Sequence, residues 1–132
     1  MRGGAFLLGG EEMALSLKTT KIEGIPVLQV IGRLINVDSE KFQKKLDAYM
    51  KKCNNTAVID ITDVNFIDSF GLGTLVQHHS KMVKQGGSFI LLNTDEEQDT
   101  YIKRLFLMTQ LNKVFTIVES NEELVVLCKK RR

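Results

Sequence analysis

What most constrains the fold of this 132-residue chain is an alternation. Three runs rich in apolar and β-branched residues, TAVIDITDVNFI from Thr56, SFILLN from Ser88 and KVFTIV from Lys113, are separated by single stretches of helical periodicity. Strand, one helix, strand, repeated, is the pattern of right-handed parallel crossovers. The compact run Ala57 to Ile61 agrees, because a strand buried on both faces reads as continuously apolar rather than alternating. Ahead of it, ALSLKTTKIEG sets Leu15, Leu17 and Thr19 against polar neighbours, as a half-buried strand does. IPVLQVIGRL follows as its antiparallel partner across a turn at Glu23-Gly24. Pro26 lies near its start, where a missing N–H is tolerated. The expected order is β-β-α-β-α-β-α-β-α: an α/β fold with a mixed, mainly parallel sheet and an N-terminal antiparallel hairpin. No internal repeat or domain boundary interrupts it, so residues 14–132 read as one domain.

Each helical stretch has an apolar stripe. In NVDSEKFQKKLDAYMKKC the stripe is Val37, Phe42, Leu46 and Tyr49 or Met50, with Asp38 or Ser39 as cap and Asn54-Asn55 as the stop. In FGLGTLVQHHSKMVKQGG it is Leu72, Leu75, Val76, His79 and Val83, ended by Gly86. DEEQDTYIKRLFLMTQL turns Ile102, Leu105, Phe106 and Thr109 inward. ESNEELVVLCKK begins with Ser120 and Glu123 at the spacing of a capping box.

Composition narrows the function. The formal charge is +2, from 18 basic and 16 acidic residues, but four of the basic ones are the terminal KKRR. The body without them is mildly acidic, which argues against a nucleic-acid-binding face. The terminal cations read as a solvated tail that complements a helix C-terminus. Cys53 and Cys128, 75 positions apart, form neither a metal motif nor a disulfide framework and read as small buried thiols of a reducing compartment. No apolar run reaches the length of a membrane span, and a cytoplasmic location is expected. Residues 1–13 hold too short an apolar run for a signal peptide and are expected to be disordered. Gly9-Gly10-Glu11-Glu12 requires purine-rich codons just ahead of Met13, as a bacterial ribosome-binding site would, so Met13 is the alternative start.

The residues do not assemble an enzyme. His78 and His79 are adjacent, and neighbours on a helix diverge by about 100°. Asp60, Asp63 and Asp68 lie around one strand and its exit, without a phosphate loop or nucleophile elbow. Gly71-Leu72-Gly73 is only a fragment of a dinucleotide fingerprint, because Val76 stands where a third glycine belongs. No metal and no cofactor are expected.

What remains is NFIDSFGLG, Asn65 to Gly73, at the carboxyl end of a parallel strand, where sites in open α/β sheets lie. Ser69 or Asp68 can cap the helix that begins there. Two glycines permit a tight turn and close packing. Phe70 fits no capping role, and an exposed aromatic beside a hydroxyl is a typical recognition anchor.

Three stretches resemble the STAS family, in particular its bacterial anti-sigma-factor antagonists. VIGRL resembles the family's G-x-L turn; DVNFIDSFGLGTLV resembles its D-x-x-x-x-D-S-x-G-L motif; KQGGSFILLN with IKRLFLMTQLNKVFTIVESNEELV resembles its C-terminal half. The resemblance implies a STAS-like fold and places a phosphorylation site at Ser69. It implies an anti-sigma-factor serine kinase as partner, bound while Ser69 is unmodified, so that a sigma factor is released. Phosphorylation by that kinase, which uses ATP, ends the interaction, and a serine phosphatase resets it. Asp68, Phe70, Gly71, Gly73, Ile35 and Asn36 would lie at the partner surface. The chain departs from the family at Phe70, often a small residue, and at Ile35, often an acid. The alternative reading is a STAS interaction module that works without phosphorylation in a transporter, lipid-transport or signalling complex.

Overall fold

The computed structural model describes residues 14–130. The expectations for residues 1–13, including Met13 as the start, lie outside the described residues, as do Arg131 and Arg132. The elements are β1 (Ser16–Ile22), β2 (Ile25–Leu34), α1 (Ser39–Met50), β3 (Thr56–Ile67), α2 (Ser69–Lys84), β4 (Ser88–Leu92), α3 (Tyr101–Met108), β5 (Thr116–Val118) and α4 (Asn121–Lys130). Short 3-10 turns, Asn36–Asp38 and Leu111–Lys113, precede α1 and β5.

The five strands lie in sequence order, β1-β2-β3-β4-β5, with β1 antiparallel to β2 and every other pair parallel. Glu23 and Gly24 close the hairpin with φ of 48° and 83°. Two positive φ values in a two-residue loop suit the twist of the strands they join. Each later strand is added on the same side, so crossovers of one hand set their helices on one face. Side chains of α1, α2 and α3 (Phe42, Leu46, Leu75, Met82, Ile102, Phe106) share one core with Leu28, Ile59, Ile61 and Leu91. The opposite face of the sheet packs Val27, Val58, Ile90, Leu92 and Val118 against Leu124 of α4. Residues 57–59 are therefore buried whichever way they point, which accounts for the unbroken apolar run.

β3 is longer than its neighbour. It pairs with β4 only from Thr56 to Asp60, while its pairing with β2 continues to Ile67. The second half of β3 therefore projects past β4, paired only with β2. Register shifts near Gly32 accommodate this extension, and Gly32 has φ of 101°, a conformation costly for any residue with a Cβ.

At the other end of the strands, Tyr49 of α1 joins β2 to β3. Its hydroxyl donates to the Pro26 carbonyl at 2.9 Å and accepts from the Val58 N–H at 2.7 Å. Burial holds the phenol neutral, pushing its pKa well above the ordinary tyrosine range. Burial likewise raises the Cys53 thiol, which donates to the Met50 carbonyl. Cys53 is a buried thiol as expected, whereas the Cys128 thiol is only half-buried.

The bounds and faces of several elements differ from the sequence expectation. α1 starts at Ser39; Asp38 occupies the N-cap position but its side chain makes no capping hydrogen bond, and Val37 sits in the preceding 3-10 turn, exposed rather than on the inward stripe. The inward face of α2 is Gly71, Thr74, Leu75, His78 and Met82, with Leu72 and Val76 at its margin. Val83 is exposed. α3 begins only at Tyr101, where the Thr100 hydroxyl caps the Lys103 N–H, and the acidic stretch before it is a loop. Thr109 ends α3 and is exposed. In β1, Thr19 is exposed, while Leu15 and Leu17 reach the core.

Candidate functional site

The projecting end of β3 turns into α2 at Asp68, and that residue organises the corner. It is the N-cap of α2: Oδ1 accepts from the Gly71 N–H at 2.9 Å. Its other oxygen, Oδ2, accepts from the Asn36 N–H, also at 2.9 Å. Its own N–H donates to the Leu34 carbonyl at 3.2 Å. One carboxylate thus joins the end of β2 to the beginning of α2, because a carboxylate can accept several hydrogen bonds at once. The sequence left Ser69 and Asp68 as alternative caps; the cap is Asp68. Ser69 is the first residue of α2, exposed, with its hydroxyl outside the cap.

The two glycines of the motif differ. A Cβ on Gly71 would collide with the Leu34 carbonyl oxygen and press on the Ile67 and Leu34 side chains. Gly71 is buried because the first turn of α2 rests directly on the end of β2. A Cβ on Gly73 would meet nothing within 4 Å, and that residue faces solvent. Ile35 is half-buried and Asn36 exposed, both in the turn that Asp68 holds. Phe70 is 57% exposed. The corner therefore brings Ile35, Asn36, Asp68, Ser69, Phe70 and Gly73 to one surface and places Gly71 beneath it.

Two exposed apolar side chains stand near the corner. Phe66, 40% exposed, stacks on Tyr101 with ring centroids 5.2 Å apart, and the Tyr101 hydroxyl donates to the Ile67 carbonyl at 3.0 Å. This pair spans 35 positions and exists only once α3 lies beside β3. Val37, 74% exposed, follows Asn36 in the turn fastened by Asp68. Its signal was present, since a cap at Asp38 or Ser39 puts Val37 outside the helix and voids its place on the stripe.

The other candidates serve packing. His78 is buried, with Nδ1 2.9 Å from the Thr74 carbonyl oxygen and Nε2 3.3 Å from Asp47 Oδ1, linking α2 to α1. His79 lies edge-on to Phe89 and Phe115, with centroids 6.0 and 5.4 Å away. The Asp60 carboxylate accepts from the Thr62 N–H. Among the described residues no group of three or more His, Cys, Asp or Glu is placed to hold a metal ion. No helix there is long and apolar enough to cross a membrane.

A protein-family model covers nearly all of this β-β-α-β-α-β-α-β-α domain: the STAS domain model matches residues 16–124. The chain belongs to the STAS domain family. This STAS domain is 27% identical, over 105 residues, to a Thermotoga maritima protein provisionally named an anti-sigma factor antagonist, covering 78% of the chain and 89% of that relative. In fold it is similar to an anti-sigma factor antagonist from Mycobacterium paratuberculosis, with a TM-score of 0.70 and 22% identity, covering 86% of this chain and 93% of the other. It is also similar to the Bacillus cell fate determinant SpoIIAA in its phosphorylated form, with a TM-score of 0.58 and 19% identity, covering 86% and 99% of the two chains. At these identities the two structures establish the fold alone.

Proposed function

We propose that this STAS domain is an anti-sigma-factor antagonist switched at Ser69. With a free hydroxyl it binds an anti-sigma-factor serine kinase and so releases a sigma factor; the kinase, using ATP, phosphorylates Ser69 and ends the contact; a serine phosphatase restores it. The observation that carries this reading is the position of Ser69: first residue of α2, exposed, with capping left to Asp68. The names of its relatives, and the existence of one of them in a phosphorylated form, support the same assignment.

The chemistry of the corner suits a switch that acts between molecules. A phosphate adds about −1.5 to −2 charge at neutral pH. The N-terminus of α2 favours that charge, whereas the adjacent Asp68 carboxylate opposes it. The two terms offset each other within the domain, so the fold persists and the new charge is felt by the partner. A loss of about 3 kcal/mol at that contact weakens binding roughly a hundredfold.

The test is to incubate the protein with ATP and candidate serine kinases from its own genome, then map added phosphate by mass spectrometry. Phosphate on Ser69, absent in Ser69→Ala, is the expected result. No label with any kinase would favour a STAS interaction module that works without phosphorylation.

A further inference from the structure

We propose that Val37, Phe66 and Phe70 form one apolar rim beside Ser69, and that the kinase covering it presents an apolar rather than a charged surface there. This rests on the reading of Ser69 as phosphoacceptor and specifies what its partner must look like.

Three observations lead to it. The first is exposure: the three side chains are 74%, 40% and 57% accessible, although each is large and apolar. Val37 and Phe70 are more than half exposed and Phe66 keeps two fifths of its surface in water despite its stack on Tyr101, and exposed apolar groups near one another mark interaction surfaces. The second is connection. Phe66 and Phe70 lie two residues before and two after Asp68, and the Asp68 carboxylate binds the turn that carries Val37 to the same corner. The third is rigidity. Phe66 is held by its stack on Tyr101, which is itself fixed to the Ile67 carbonyl. An aromatic already held in place loses little entropy when a partner covers it, which is what makes such residues effective anchors.

Several charges on the flanking elements already have partners within the domain. Both Asp68 oxygens accept backbone N–H groups. Asp38 lies 3.8 Å from Arg33. On α3, Lys103 donates to the Asp95 and Glu97 carbonyls, and Arg104 pairs with Asp99. Recognition at the rim therefore falls to apolar contact, with Ser69 as the one group whose charge changes. An apolar surface pressed on the rim also explains why a phosphate would be rejected, because the dianion would lose its hydration without gaining a cation.

The experiment measures kinase binding and Ser69 phosphorylation for the wild type and for Val37→Ser, Phe66→Leu, Phe70→Ser and Phe70→Leu, at low and high salt. Circular dichroism confirms that each variant is folded. Phe70→Ser is expected to weaken binding about tenfold or more and Val37→Ser by less, while Phe70→Leu retains most of the affinity. Wild-type affinity is expected to change less than about threefold between the two salt concentrations, since exposed charge pairs are screened and apolar contact is not. Equal binding by all variants, with Ser69 still phosphorylated, overturns the rim and leaves the phosphorylation reading standing. A steep salt dependence does the same. Rim variants that alter self-association instead of kinase binding assign the surface to a second copy of this chain and overturn the proposal. Failure of every kinase to label wild-type Ser69 overturns both readings.

Discussion

The two ends of the parallel strands are each tied together by one side chain, Tyr49 at the amino ends and Asp68 at the carboxyl ends. Tyr49 is buried: its hydroxyl donates to Pro26 and accepts from Val58, and stays neutral. Asp68 is half-buried, and its carboxylate accepts from Asn36 and Gly71 within reach of water. The geometry is alike and the chemistry opposite. A buried link must be neutral and fully paired, because desolvating a charge is costly. A link at a surface can be ionic, and an ionic cap leaves the neighbouring hydroxyl available. Exposed apolar side chains occur at both ends, Val83, Met108 and Val114 at the amino end and Val37, Phe66 and Phe70 at the carboxyl end, but only the latter accompany an exposed serine at a helix N-terminus.

The largest contrast is expected from Ser69→Asp. It is expected to lower kinase affinity about a hundredfold while moving the melting temperature by no more than a few degrees, read by calorimetry of binding and of unfolding. Unfolding of the body instead would mean that the corner is a stability element and the contrast is false.

Tyr49→Phe is the converse. It orphans the buried Val58 N–H and Pro26 carbonyl and is expected to cost about 1–3 kcal/mol of stability, with kinase binding unchanged. Its pH signature follows from the raised pKa of the folded phenol. Below the ordinary tyrosine pKa of about 10 the unfolded and folded states bind the same proton, and the interaction is complete. Above it only the unfolded state gives the proton up, so stability falls as pH rises. In Tyr49→Phe that part of the alkaline decline should vanish from a series of denaturant titrations.

The glycines sharpen the contrast within the corner itself. Gly71→Ala drives a Cβ into the Leu34 carbonyl and is expected to destabilise by about 1–3 kcal/mol. Gly73→Ala meets open space on a helix, and a gain of about 0.5–1 kcal/mol is expected. Equal melting temperatures for the two would show that the strand and helix at the corner can separate.

A similarly small effect belongs to Asp68→Asn. An amide has one acceptor oxygen where two are used, so one of the Asn36 and Gly71 N–H groups loses its partner, at about 1 kcal/mol. Faster hydrogen exchange at one of those two amides, and not both, is the expected reading.

The element order was legible because each element carries its own local signal. The paired positive-φ turn at Glu23-Gly24, the doubly buried run Ala57 to Ile61 and the Ser120–Glu123 spacing are all short-range patterns. The errors came where a local signal competes with packing. Val37 and Val83 have the right spacing for a stripe, yet the 3-10 turn and the end of α2 leave both in solvent. His78 is buried because α1 brings Asp47 to its ring, a partner 31 positions away.

The sequence alone determined the strand and helix alternation, the capped corner and Ser69 as its hydroxyl, because periodicity, cap chemistry and glycine placement act over a few residues. Only the tertiary structure decided which of Asp68 and Ser69 is the cap, why Gly71 but not Gly73 must lack a side chain, and that Val37, Phe66 and Tyr101 belong to the same corner. Those facts depend on β2, β3 and α3 meeting at one end of the sheet. No local pattern encodes that meeting, since it follows from the register and the shared core that fix where each strand ends.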